Sequence, residues 1–153
     1  MKFVRKMSIS EIPQGFALIQ NVFYEFIAPD YSSEGIETFE NQFLKNTEFQ
    51  QKFHDGREEM YGAFYNDELA GILSISNHNT VSCVFVRKEY HRQEIGTMLF
   101  KEIINILKVR NATEIKLNAS PYAVPFYHAI GFQDMKKEQE YKGIRYTPMK
   151  RKI

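Results

Sequence analysis

VSCVFVRKEYHRQEIGTMLFKEIINILKVR, residues 81–110, decides how the rest of the chain is read. Val81–Val86 is an apolar run of strand length, Arg87–Glu94 is a charged turn, and Gly96 opens a helix. Met98, Leu99, Ile103, Ile106 and Leu107 recur at helical spacing and define one apolar face. A strand feeding a glycine-bearing turn and a helix start has a specific physical use. The first backbone N–H groups of a helix lack intrahelical partners, and the macrodipole adds partial positive charge there. Such a turn is suited to phosphate oxygens.

Working outward, Phe3–Ile9 alternates as a short strand. A helix then follows, with Ser10 as its cap, Pro13 in its first turn and an apolar stripe through Ile12, Phe16, Ile19, Phe23 and Ile27. Ser32 or Ser33 caps a second helix, with Ile36, Phe39 and Phe43 inward, so that the two helices form a hairpin. His54–Glu59 reads as a charged turn. Beyond it the pattern changes to strands: Met60–Tyr65, the Asn66-Asp67 turn and Leu69–Ser76. The Asn77-His78-Asn79 turn leads into the Val81–Val86 strand. After the central helix, Asn111 suits a left-handed terminus, and Ile115–Asn118 forms a short strand. Ser120-Pro121 starts a helix from Ala123 to Ile130, ended by Gly131. Phe132–Tyr141 and Ile144–Met149 close the chain as a hairpin around Lys142-Gly143. The order predicts one domain, residues 1–153, of mixed α/β (α+β) class with a mostly antiparallel central sheet and flanking helices.

The 153 residues suffice for one buried core, and 43% hydrophobic content with 13 Phe and 9 Tyr excludes a disordered chain. A net charge of +1, from 20 basic and 19 acidic residues, gives no electrostatic case for nucleic acid or an anionic membrane. The single cysteine, Cys83, sits in the apolar strand, which leaves no disulfide framework and no metal-ligand cluster. With no apolar segment long enough to span a bilayer and no signal-peptide pattern, the expectation is a cytoplasmic protein.

Two segments together resemble the GNAT-type N-acetyltransferase superfamily. FVRKEYHRQEIGTML is similar to its strand–loop–helix signature, in which a Gln/Arg-x-x-Gly-x-Gly/Ala loop binds the acetyl-CoA pyrophosphate. NASPYAVPFYHAIGF is similar to its late strand, its short tyrosine-bearing helix and the Gly-Phe that follows. The resemblance implies the GNAT-like fold, acetyl-CoA as cofactor and an amine as acceptor. It implies cofactor contacts from Val84, Phe85 and Val86 and from the loop His91, Arg92, Gln93, Glu94, Ile95, Gly96 and Thr97. It adds Asn118, Ser120 and Phe126 to that set. Aligning Gly96 with the second motif glycine puts His91 where Gln or Arg is usual and Glu94 where the first glycine belongs. A carboxylate beside a pyrophosphate is repulsive, and Arg87 or Arg92 would offset it.

By the same resemblance Tyr127 matches the tyrosine that protonates the departing CoA sulfur. A phenol with a pKa of about 10 beside a thiol near about 8.5 stays protonated at neutral pH and can donate. No general base stands out; His78, Glu59 and Glu89 are weighed, each against a solvated-turn reading. Tyr24, Phe26, Asp30, Tyr31 and Glu140 are expected to wall the acceptor pocket, where carboxylates and aromatic faces attract a cation. The expected activity is direct transfer of acetyl from acetyl-CoA to a primary amine of a small molecule or peptide. A non-catalytic acyl-CoA-binding sensor of the same fold and a protein-interaction module are the other readings. A homodimer through an exposed sheet edge is also expected.

Overall fold

The computed structural model describes residues 1–91 and 94–153. Its strands are β1 (Lys2–Lys6), β2 (Glu58–Tyr65), β3 (Glu68–Ser76), β4 (Thr80–Val86), β5 (Glu114–Ala119), β6 (Gln133–Asp134), β7 (Gln139–Tyr141) and β8 (Ile144–Lys152). They follow the order β1-β2-β3-β4-β5-β8-β6, with β7 pairing the start of β8. Every pairing is antiparallel except β4 with β5. Asn66 and Asp67 both take positive φ, the geometry that joins β2 to β3 by a tight turn matched to strand twist.

The helices α1 (Ile12–Val22), α2 (Ser33–Phe39), α3 (Thr47–Asp55), α4 (Ile95–Val109) and α5 (Val124–Ala129) cover two faces. On one face, α4 packs Leu99, Phe100, Ile103 and Leu107 against Tyr61, Leu73, Ile75 and Val81, and α5 adds Tyr127. On the other, Leu18, Ile19 and Phe23 of the first helical segment join Phe39, Phe49 and Phe53 over Met60, Ile72, Cys83 and Phe85. Each such fully buried side chain contributes about 1.5–3 kcal/mol.

The first helix is more finely divided than its periodicity predicts. Ser8, not Ser10, begins it; the Ser8 N–H donates to the Glu11 carboxylate at 2.9 Å in a capping box. Past Val22 the helix widens into a π-turn at Phe23–Ile27, and α2 does likewise at Glu40–Leu44. Such turns are rare and concentrate at functional sites.

Two further differences bear on the site. Residues 47–55, expected to run into a turn, form a third helix, capped by Asn46 and stopped by Gly56 at φ 83°. Only Gly56 and Arg57 then remain as a turn, and the following Glu58 and Glu59 belong to β2. Near the C-terminus, the expected continuous strand over residues 132–141 is two short ones, β6 and β7, each laid separately on β8.

Candidate active site

β4 and β5 are parallel partners only at Thr80–Lys116 and Val81–Leu117. Beyond that point the two strands part. A bulge marks the same place: Ser74 opposes Cys83 and Ile75 opposes Val81, leaving Ser82 as the extra residue of β4. The outer half of β4 is thereby left with main-chain N–H and C=O groups on its β5 side. A cavity of about 400 Å³ occupies the split and the space under the first helical segment. That volume suits a small ligand or an extended chain end.

Val84 and Phe85 of β4, Asn118 of β5 and Ser120 just beyond β5 line this cavity. Val86 is held in the sheet opposite Gly71, and its carbonyl accepts from His91 Nε2 at 2.9 Å. That bond turns the chain out of β4 into the loop. Arg92 and Gln93, expected as loop contacts, lie outside the described residues. Glu94 takes left-handed geometry, φ 59° and ψ 23°, at the N-cap of α4, and its side chain is exposed. The conformation explains why a glycine is usual there, and a glutamate enters it at a cost of roughly 1–2 kcal/mol. Ile95 is buried beneath the loop and Thr97 is exposed on the first turn of α4. A Cβ on Gly96 would lie 3.3 Å from the Phe126 ring, so the glycine lets α5 close against the start of α4.

Tyr127 stands on α5 in the cavity wall, 8% exposed, edge-on to Phe100 at 5.5 Å between centroids. Its hydroxyl has no hydrogen-bond partner among the described residues. Burial, reinforced by Tyr122, pushes its pKa well above the ordinary phenol value. It therefore keeps its proton across the whole working pH range and has it to give. His128 turns away and meets Asp134 at 2.7 Å. Cys83 also lines the cavity, and burial pushes its thiol far up, which holds it as a neutral, unreactive group.

Of the residues expected on the acceptor wall, Tyr31 lines the cavity. Tyr24 is exposed and donates instead to Glu40. Asp30 and Glu140 are exposed and off the cavity wall, and Phe26 packs on His91 and under Lys88. The wall is instead made by Phe23 and Phe43 from the two π-turns and by Tyr141 and Tyr146 of the closing hairpin. That hairpin is clasped to α2: Thr38 Oγ1 donates to the Lys142 carbonyl at 2.6 Å, and the Gly35 and Gly143 backbones touch.

The three groups weighed as bases are placed elsewhere. Glu59 lies on the α4 face, held below the usual carboxylate range by Arg110 at 2.6 Å and by Lys6. His78 and Glu89 are exposed turn residues. Its neighbour Glu58 went unnoticed because Arg57-Glu58-Glu59 has the composition of a turn. In the structure it is 3% exposed, faces the helical hairpin side and lines a second chamber of about 370 Å³. Its position one residue after the Gly56-Arg57 turn, in phase with Met60, was the available signal.

The family model for the Acetyltransferase (GNAT) domain matches residues 27–153, and the chain belongs to this acetyltransferase family. The uncharacterized N-acetyltransferase YafP of Escherichia coli is 28% identical over 92 residues, covering 60% of this chain and 57% of that protein. The chain thus matches little more than half the length of that relative. A GCN5-related N-acetyltransferase structure from Rhodopseudomonas palustris superposes with TM-score 0.83 at 18% identity, over 98% of this chain and 94% of its own. The PaiA N-acetyltransferase of Thermoplasma acidophilum, solved in complex with coenzyme A, superposes with TM-score 0.79 at 20% identity, over 100% and 99%. Both share the fold described here.

Proposed function

We propose that this chain transfers an acetyl group from acetyl-CoA directly to a primary amine of a small molecule or peptide. The observation that carries the reading is the separation of β4 from β5 directly beside a buried, fully protonated Tyr127. The residues present fit the cofactor. The open edge at Val84–Val86 offers main-chain groups to the amides of an extended arm, Asn118 and Ser120 stand across from it, and the start of α4 offers unpaired N–H groups to phosphate. Acetyl-CoA supplies a thioester, whose acyl carbon is the electrophile and whose sulfur is the leaving group.

Within that frame, the main chain of β4 holds the acyl group and its oxygen, where preorganised N–H dipoles act on developing charge. Tyr127 holds a proton at its hydroxyl and delivers it to the sulfur. Direct transfer is favoured because Cys83, the one thiol in the cavity wall, is kept protonated by burial. A non-catalytic sensor would need no buried acid at this point, and Tyr127 favours the enzyme. Left-handed Glu94 takes the backbone conformation that a glycine would adopt at the N-cap of α4, so the side chain does not change the conformation of that residue.

Tyr127→Phe tests the reading. It should lower kcat by about 100-fold, within the range for loss of a general acid, and leave the acetyl-CoA Kd unchanged. Unaltered turnover would remove the assigned role.

A further inference from the structure

Glu58 is a sealed carboxyl with an oxygen to spare. It begins β2, is 3% exposed, and its Oε2 has no hydrogen-bond partner among the described residues. An unpaired buried polar atom costs about 1–3 kcal/mol, a cost with no structural return here. The chamber it lines shares Gln42, Phe43, Thr80 and Ser82 with the cavity beside Tyr127, so the two spaces adjoin.

The charged and titratable groups packed around Glu58 are few. Lys52 and Glu48 reach the chamber from α3, and Cys83 stands on β4. Lys52 attracts the carboxylate from a distance but makes no ion pair with it among the described residues. The Ser82 and Ser74 hydroxyls lie near and temper its acidity, yet neither completes a hydrogen bond to Oε2. Burial dominates and pushes the carboxyl above its usual range.

We propose that Glu58 receives the proton of an alkylammonium acceptor and so equips this enzyme to use basic primary amines. The inference rests on the acetyltransferase reading above and names its missing base and acceptor class. An alkylamine enters as R–NH3⁺ and cannot attack until it loses a proton. In a low-dielectric chamber, burial that raises a carboxyl also lowers an ammonium. The pair R–NH3⁺ and carboxylate is destabilised relative to R–NH2 and carboxylic acid, which is the state attack requires.

The balance closes. One N–H bond breaks, its electron pair stays on nitrogen, and the proton goes to Glu58, on whose side Thr80 and Ser82 line both chambers. Nitrogen then bonds to the acyl carbon as the carbon–sulfur pair moves to sulfur. Sulfur takes the Tyr127 proton, and the second nitrogen proton, shed as the amide forms, restores Tyr127. Glu58 releases its proton to solvent, one per turnover.

The test compares the wild-type chain with Glu58→Gln and Glu58→Asp, using acetyl-CoA with butylamine, phenethylamine and aniline. Calorimetry should give the same acetyl-CoA Kd for all three proteins. With the alkylamines at pH 7, Glu58→Gln should lower kcat/KM about 100-fold, and Glu58→Asp should recover part of it. That deficit should shrink as pH approaches the amine's own pKa of about 10, where free amine is supplied by solvent. With aniline, which is uncharged at pH 7, wild type and Glu58→Gln should agree.

Equal rates on alkylamines, a deficit uniform in pH and shared by aniline, or acetyl-CoA binding without turnover of either alkylamine would each overturn the proposal. Failure of acetyl-CoA to bind any of the proteins would instead bring down the acetyltransferase reading beneath it.

Discussion

On the α4 side of the sheet, most of the groups that meet come from one continuous stretch, residues 86–96. Val86 hands the chain to His91, Glu94 caps α4, and Gly96 receives Phe126 from the next helix but one strand. On the opposite side, the cleft takes Phe23 and Phe43 from two π-turns, Tyr146 from the last strand and Glu58 from the first residue of β2. The first side works through main-chain groups and helix geometry, which tolerate a glutamate where a glycine is usual. The second works through side chains delivered from four distant segments. Under the proposed function, one side of β4 would hold a constant partner and the other would choose a variable one.

The comparison breaks most readily at the clasp between α2 and the closing hairpin. Gly143 has φ 86°, and a Cβ there would sit 2.6 Å from the Gly35 nitrogen. Gly143→Ala should destabilise the protein by about 2–3 kcal/mol in urea unfolding, from backbone strain plus displacement. It should raise the acceptor KM while the acetyl-CoA Kd holds. A matching rise in both constants would mean the two sides are not separable.

Glu94→Gly sharpens the other half. It removes a carboxylate from the start of α4, the proposed phosphate site, so acetyl-CoA should bind more tightly by about 1 kcal/mol, roughly fivefold. Calorimetry reads this directly, and weaker binding would show that the carboxylate assists the loop.

A smaller effect concerns stability. Glu58 has a folded pKa above its unfolded value, so the native state binds its proton more tightly and stability falls as pH climbs from about 4.3 through the raised value. Glu58→Gln removes that loss. Its Tm should match the wild type most nearly at about pH 4 and exceed it increasingly as pH rises from there, until Glu58 is ionised in the folded state, as expected where function costs stability. Parallel Tm curves would deny that Glu58 is perturbed.

These two sides were also unequally legible in the sequence. The Val81–Arg110 run carries its own periodicity and cap chemistry, so the strand, the loop and α4 could be read locally, and the sheet's antiparallel hairpins follow from Asn66-Asp67 and Lys142-Gly143. The division at β4–β5 is not written in either strand, since it depends on β8 claiming the far edge of β5. Tyr24, Asp30 and Glu140 were chosen for charge and aromaticity in the right segments. Which of their neighbours turned inward depended on two π-turns that shift the helical phase, and that shift has no simple composition. Glu58 was hidden for a plainer reason: three charged residues in a row read as solvent-exposed, and only the burial of α3 over β2 reverses it.

Acetyl-CoA is proposed to lie along the open edge of β4 and at the start of α4. Amide hydrogen exchange with and without acetyl-CoA tests this placement most directly. Added acetyl-CoA should slow exchange at residues 82–86 and in the first turn of α4, and leave α1 and α3 unchanged. Protection confined to the helices over the other face, or absent altogether, would contradict the account.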